Sequence, residues 1–231
     1  MRACFGRVAG VAILFLVTLA AVPANTTTIN NLFPSWNGTA EVHSFGRPNT
    51  ATYGQTLKVP VVDTQLNLFE FAADLPEEVP FRAFVSLWSG TKATGAALWQ
   101  SVVQTPDTLP GFQTFSFSPN LNLTAGDTIV FFISTSDVPG QLGFSGKVGQ
   151  PQNQDLYADG GFVFLNNAAS TAAWTTDPWT TDFLGIGADL TFKAVWEAPG
   201  SGPNDPVPEP ATYALVGTVL AGGFIYRRRR G

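Results

Sequence analysis

Few side chains in this sequence belong to types that do covalent chemistry. His43 is the one histidine and Cys4 the one cysteine. His43 sits between Val42 and Ser44 in a strand-like run with no partner motif, so it reads as a surface or edge residue rather than a general base. A single histidine also excludes a multi-histidine zinc centre. Carboxylates remain. Hydrolysis of a glycosidic bond needs two, held about 5 to 9.5 Å apart, and Glu41 and Glu70, both in strand-like stretches, are the pair to inspect. Acidic proteins scatter Glu over strands for solubility, so the expectation is a non-enzymatic chain with no catalytic residue. Asp155, Asp159, Asp177 and Asp182 are oxygen donors of the type calcium takes, but their spacing fits no calcium loop, and calcium needs six to eight converging oxygens. Solvated loops are expected there, with no metal and no cofactor.

Binding chemistry has one distinctive stretch, Asn166 to Gly185, "NNAASTAAWTTDPWTTDFLG". Trp174 and Trp179 lie in it among threonines, without a strand pattern. Exposed indole faces beside Asp177 could stack on sugar rings while polar groups bond hydroxyls. Because Trp is substantially buried in most folds, the competing expectation, and the favoured one, is that both indoles fold back to plug the core.

The elements that must position these residues are strands. From Ala188 to Trp196, Leu190, Phe192, Ala194 and Trp196 alternate with Asp189, Thr191, Lys193 and Val195, a period of two. Phe81–Trp88, Phe112–Phe117, Gly161–Leu165 and Leu66–Ala72 are aromatic-rich runs bounded by Gly, Pro or Asn. Ile129–Ile133 is continuously apolar, as a central strand covered on both faces must be. Glu41–Phe45, Tyr53–Val59 and Ala97–Val103 bring the number to about nine, with Gln141–Phe144 a weaker tenth. So many short strands and no amphipathic helix predict an all-β fold: an antiparallel two-sheet sandwich, jelly-roll-like, over residues 25–197.

Both ends depart from that pattern. Arg2 and Arg7 precede an apolar run from Val8 to Ala21, followed by Val22-Pro23-Ala24, which has the form of a secretory signal peptide over residues 1–24. Its removal takes Cys4 with it and leaves a chain without thiols, held by an ordinary hydrophobic core. Residues 198–206 are a Pro/Gly linker. Ala211 to Tyr226 is an uncharged run of 16 residues, which as a helix reaches about 24 Å against a hydrocarbon thickness of about 30 Å. A short C-terminal transmembrane helix of this kind spans only marginally. Arg227, Arg228, Arg229 and Arg230 follow, and the positive-inside tendency keeps them cytoplasmic. Between the ends, from Asn25 to Pro206, six Lys and Arg stand against sixteen Asp and Glu. Nucleic acid is a poor partner for such a surface, and neutral polysaccharide is an allowed one.

Val207-Pro208-Glu209-Pro210, then the short apolar segment, then the arginine cluster resembles the PEP-CTERM sorting signal of Gram-negative bacteria, over residues 207–231. The resemblance implies that a membrane-embedded exosortase recognises Pro208-Glu209-Pro210, cleaves nearby and passes the protein from a transient inner-membrane anchor to the cell surface or extracellular matrix. Such proteins are often associated with exopolysaccharide. Tyr53-Gly54-Gln55-Thr56, Val85 to Gly95 and Leu123-Thr124-Ala125-Gly126-Asp127 are similar to stretches of a domain found among PEP-CTERM exoproteins, which implies a β-sandwich and no catalytic residues. The expectation is an exported surface or matrix protein whose sandwich acts by adhesion or carbohydrate contact. A carbohydrate-active hydrolase or a purely structural coat protein are the alternatives.

Overall fold

The computed structural model describes residues 26–32, 35–48, 50–140, 142–151, 154–181 and 188–200. The signal segment, the sorting motif Val207–Pro210, the arginine cluster and Asp182 lie outside them. Among the described residues twelve strands form two antiparallel sheets. In chain order they are β1 (Thr26–Asn30), β2 (Glu41–Phe45), β3 (Thr52–Lys58), β4 (Gln65–Asp74), β5 (Arg82–Trp88), β6 (Ala93–Gln100), β7 (Gln113–Phe117), β8 (Leu121–Asn122), β9 (Thr128–Ser134), β10 (Gly146–Gly149), β11 (Phe162–Leu165) and β12 (Phe192–Glu197). A short helix, α1 (Ala173–Thr176), lies between β11 and β12.

The seven-stranded sheet runs β1-β12-β4-β10-β2, with β7 and β8 also pairing β4, and the five-stranded sheet runs β11-β3-β9-β5-β6. Set β2, β8, β10 and β11 aside, and the other eight strands fall into the orders β1-β12-β4-β7 and β3-β9-β5-β6. By position in the chain these are first-eighth-third-sixth and second-seventh-fourth-fifth, the interleaved Greek keys of a jelly roll.

The core lies between the sheets. Phe69 on β4 and Phe131 on β9 stack across it with ring centroids 3.8 Å apart, and Phe69 also stacks on Phe192 of β12 at 5.6 Å. Alternation decides which β12 residues enter: Phe192, Ala194 and Trp196 are fully buried while Lys193, Val195 and Glu197 lie at intermediate exposure. The β12 ladder begins only at Phe192. Asp189 and Thr191, placed on the outer face by alternation, are instead fully buried: the chain before Phe192 leaves the ladder, the Asp189 carboxylate accepts from the Leu156 and Tyr157 N–H groups, and the Thr191 N–H donates to the Gly149 carbonyl. Residues 142–145 carry no strand. Gly143 adopts φ +88° and its N–H bonds the Arg47 carbonyl, so the strand expected over Gln141–Phe144 is displaced to β10.

Candidate functional site

β9 shows where the tryptophan segment goes. Ile129, Phe131 and Ile133 point into the main core, and Val130 and Phe132 point to the opposite face of the five-stranded sheet. Phe84, Val163 and Leu165 share that outer face, so it cannot stay in water; Trp174, Trp179 and Ala173 cover it. Gly54 on β3 leaves room beneath, since a Cβ there would come within 2.9 Å of Val130 and 3.1 Å of Phe132.

The covering segment is held at several points. Trp179 is 4% exposed, with its ring 5.3 Å from Phe132 and 5.5 Å from Trp88. Its indole N–H donates to the Trp174 carbonyl at 2.9 Å, and its backbone N–H to Thr91. Trp174 is half-buried against Phe84 at 4.8 Å and Phe132 at 5.2 Å. Its indole N–H reaches Thr52 Oγ1 at 3.2 Å. Thr52 belongs to a buried hydroxyl and amide network: its Oγ1 lies 2.8 Å from Ser134 Oγ and donates to Asn167 Oδ1 at 2.9 Å. Asn167 Nδ2 in turn donates to Ser136 Oγ. Asp177 is the one exposed member of the proposed sugar trio, accepting from Thr176 Oγ1 at 2.8 Å. Trp174, Trp179 and Asp177 therefore do not form an exposed platform. The indoles plug a core, though on the outer face of one sheet rather than between the two.

Glu41 and Glu70 stand on different strands of the seven-stranded sheet, each beside a lysine. Glu41 Oε1 lies 3.1 Å from His43 Nε2 and 3.2 Å from Lys147 Nζ. Glu70 pairs Lys193 Nζ at 3.1 Å and accepts from Ser116 Oγ at 2.8 Å. Neither lines the clefts described below. Asp155, Asp159 and Asp177 are not brought together, and among the described residues no three His, Asp or Glu side chains are placed to hold a metal ion.

Asp189 is a fully buried carboxylate that sequence reasoning missed. Gln55 Nε2 donates to its Oδ1 at 2.8 Å, and the N–H groups of Leu156 and Tyr157 donate to its Oδ2 at 2.7 Å each. Burial outweighs those bonds and pushes its pKa up to about 6 from the ordinary 3.8. Between these values the folded chain holds a proton that the unfolded chain has lost. The stability Asp189 contributes is thus complete below pH about 4 and is lost as pH rises through about 6. Replacing Asp189 with Asn should flatten the dependence of Tm on pH between about 4 and 7; calorimetry giving the same slope for variant and parent would refute the assignment.

Two adjoining clefts open where β4 runs out. The larger, of about 470 Å³, lies between Asp74–Glu78, Asp107–Pro110 and Ser145–Lys147, and the second, of about 380 Å³, is lined by Glu77, Glu78, Pro80 and Gly140. Pro76 and Pro80 bracket Glu77 and Glu78 in a turn closed by the Val79 N–H on the Pro76 carbonyl at 2.9 Å. Asp107 accepts from the Leu109 N–H at 2.9 Å and from Gln113 Nε2. Lys147 is already engaged by Glu41, so Asp74, Glu77, Glu78 and Asp107 leave the larger cleft anionic. Carboxylates in such a wall accept hydrogen bonds from hydroxyl-bearing ligands and repel anionic ones.

The PEP-CTERM protein-sorting motif matches residues 206–230. No curated protein matches the chain. Among solved structures, the cysteine protease and lectin-like domains of Cwp84, a surface layer associated protein of Clostridium difficile, match with TM-score 0.42 and 9% identity, covering 69% of this chain and 36% of that one. The VP2 subviral particle of infectious bursal disease virus matches with TM-score 0.29 and 13% identity, covering 86% of this chain and 49% of that one. This chain thus spans about a third and about half the lengths of the two.

Proposed function

From a chain whose residues 206–230 carry a PEP-CTERM protein-sorting motif, we propose an exported protein that an exosortase delivers to the cell surface or matrix, where its β-sandwich works by non-catalytic contact. In this reading residues 1–24 are removed on export, residues 211–226 form a temporary anchor, and Arg227 to Arg230 stay cytoplasmic until cleavage near Pro208-Glu209-Pro210. The sorting motif is the observation that carries it. Mass spectrometry of the surface-released protein should find a chain ending near Pro210; a retained Arg227–Arg230 tail would overturn the delivery step.

For the sandwich, we propose contact with a neutral, hydroxyl-rich polymer at the paired clefts. Their volumes fall within the roughly 300–1,000 Å³ of ordinary ligand sites, and their carboxylates disfavour anionic polysaccharide. On a glycan array the released protein should retain neutral glycans. The double substitution Glu77→Gln and Glu78→Gln should weaken retention about tenfold or more, since hydrogen bonds to charged groups are worth roughly 1.5–3 kcal/mol. Asp177→Asn should leave it unchanged. Release of reducing sugar from any arrayed glycan would instead establish a hydrolase.

A further inference from the structure

Asn37-Gly38 is the single Asn-Gly pair in the chain. It sits between β1 and β2, with Asn37 exposed. Asn37 Oδ1 accepts from the N–H of Thr39 and from that of Ala40, at 2.9 Å each, the local turn that Asn side chains favour. These bonds fold the carboxamide forward over the Gly38 peptide. Gly38 adopts φ +81° and has no Cβ to obstruct an approach to its nitrogen, and among the described residues its N–H makes no hydrogen bond. At the far end of the turn the Ala40 carbonyl accepts from the Trp36 indole N–H at 2.8 Å and from the Gln150 N–H at 3.0 Å. Trp36 is buried against Ala72, with its ring 4.9 Å from Phe112.

We propose that Asn37 is a site of self-modification by water: its carboxamide closes onto the Gly38 nitrogen, and the ring then opens to aspartate or isoaspartate. Hydroxide takes the Gly38 amide proton, and the nitrogen attacks Cγ. The oxyanion that forms at Oδ1 meets two donors already in place, the N–H groups of Thr39 and Ala40, which is the arrangement that stabilises tetrahedral intermediates of acyl transfer. The Cγ–Nδ2 bond breaks, and ammonia leaves with a proton from water, which restores the hydroxide. Water then adds to the cyclic imide. Addition at Cγ gives aspartate; addition at the Asn37 backbone carbonyl gives isoaspartate, whose main chain runs through Cβ and Cγ. No atom changes oxidation state, and either product adds a negative charge. Isoaspartate also lengthens the main chain inside the turn and makes Oδ1 a main-chain oxygen, which undoes the side-chain bonds to Thr39 and Ala40. The carbonyl that holds Trp36 shifts with them, and the cover over Ala72 loosens.

The test holds the full chain folded in detergent and mildly alkaline buffer at physiological temperature. Samples are then cut after Glu41 and read by mass spectrometry, with chromatography that separates the two acids. Asn37 should convert before any other asparagine, to both aspartate and isoaspartate, at a rate that rises with pH. An unchanged Asn37, or aspartate formed without isoaspartate, would overturn the proposal. Gly38→Ala obstructs the approach and should slow the conversion about tenfold or more; an unchanged rate would show that the Gly38 nitrogen is not the attacking atom. The parent measurement decides the site whether or not that variant folds. The fraction carrying isoaspartate should melt below the unmodified chain, and an equal Tm would overturn the loosening around Trp36 while leaving the modification in place.

Discussion

Trp179→Ala should lower the stability of the sandwich by about 3–5 kcal/mol, the usual cost of truncating a buried Trp. For a chain of this size that corresponds to a fall in Tm of roughly 6–20 °C. The substitution opens a void between Phe132 and Trp88 and removes the donor to the Trp174 carbonyl. It also loosens the cover on Val130, Val163 and Leu165, which otherwise meet water. Trp179→Phe keeps a ring and loses the N–H, so it should cost less, about 1–2 kcal/mol. Glycan retention by whatever fraction stays folded should be unchanged. Calorimetry that finds the alanine variant as stable as its parent, together with lost glycan binding, would return Trp179 to the role of a sugar platform.

Replacing Pro208, Glu209 and Pro210 together with alanine should abolish release, with the full-length chain accumulating in the membrane fraction and the arginine tail intact. Two prolines forbid helix continuation and hold the intervening residue extended, the form in which a peptide enters a protease-like cleft. Alanine restores helix propensity, so the apolar segment can lengthen toward Val207 and the recognition element is lost. Glu209→Ala alone separates the carboxylate from the backbone effect. Release at the parental rate from the triple variant would sink the proposed delivery.

How much of this was legible in the sequence differs from element to element. β12 declared itself through strict alternation from Phe192 to Trp196, and β9 declared both its centrality and its double burial through an unbroken apolar run. What covered the second face of β9 could not be read, because the Trp segment has no period and the partner face is assembled from β3, β5, β9 and β11. β1 escaped notice because Thr26, Thr27 and Thr28 carry no apolar alternation, although β12 accepts them as an edge. Gly146 to Gly149 is short and glycine-bounded, so β10 gives no strand signal of its own, and the apolar Leu142 and Phe144 imitate one in the turn before it. The clefts were invisible for a different reason: their walls come from three loops far apart in the chain, each an ordinary acidic or proline-containing turn by itself.

The placement of β12 has one more consequence. The strand that leads into the tail is clamped along its length, with five residue pairs to β1 and six to β4. While the tail is still held in the membrane, drag on the domain pulls this strand lengthwise between its neighbours. Its hydrogen bonds then bear the load in parallel instead of peeling open one after another, so until the tail is cut the sandwich should withstand flow better than one held through an edge hairpin.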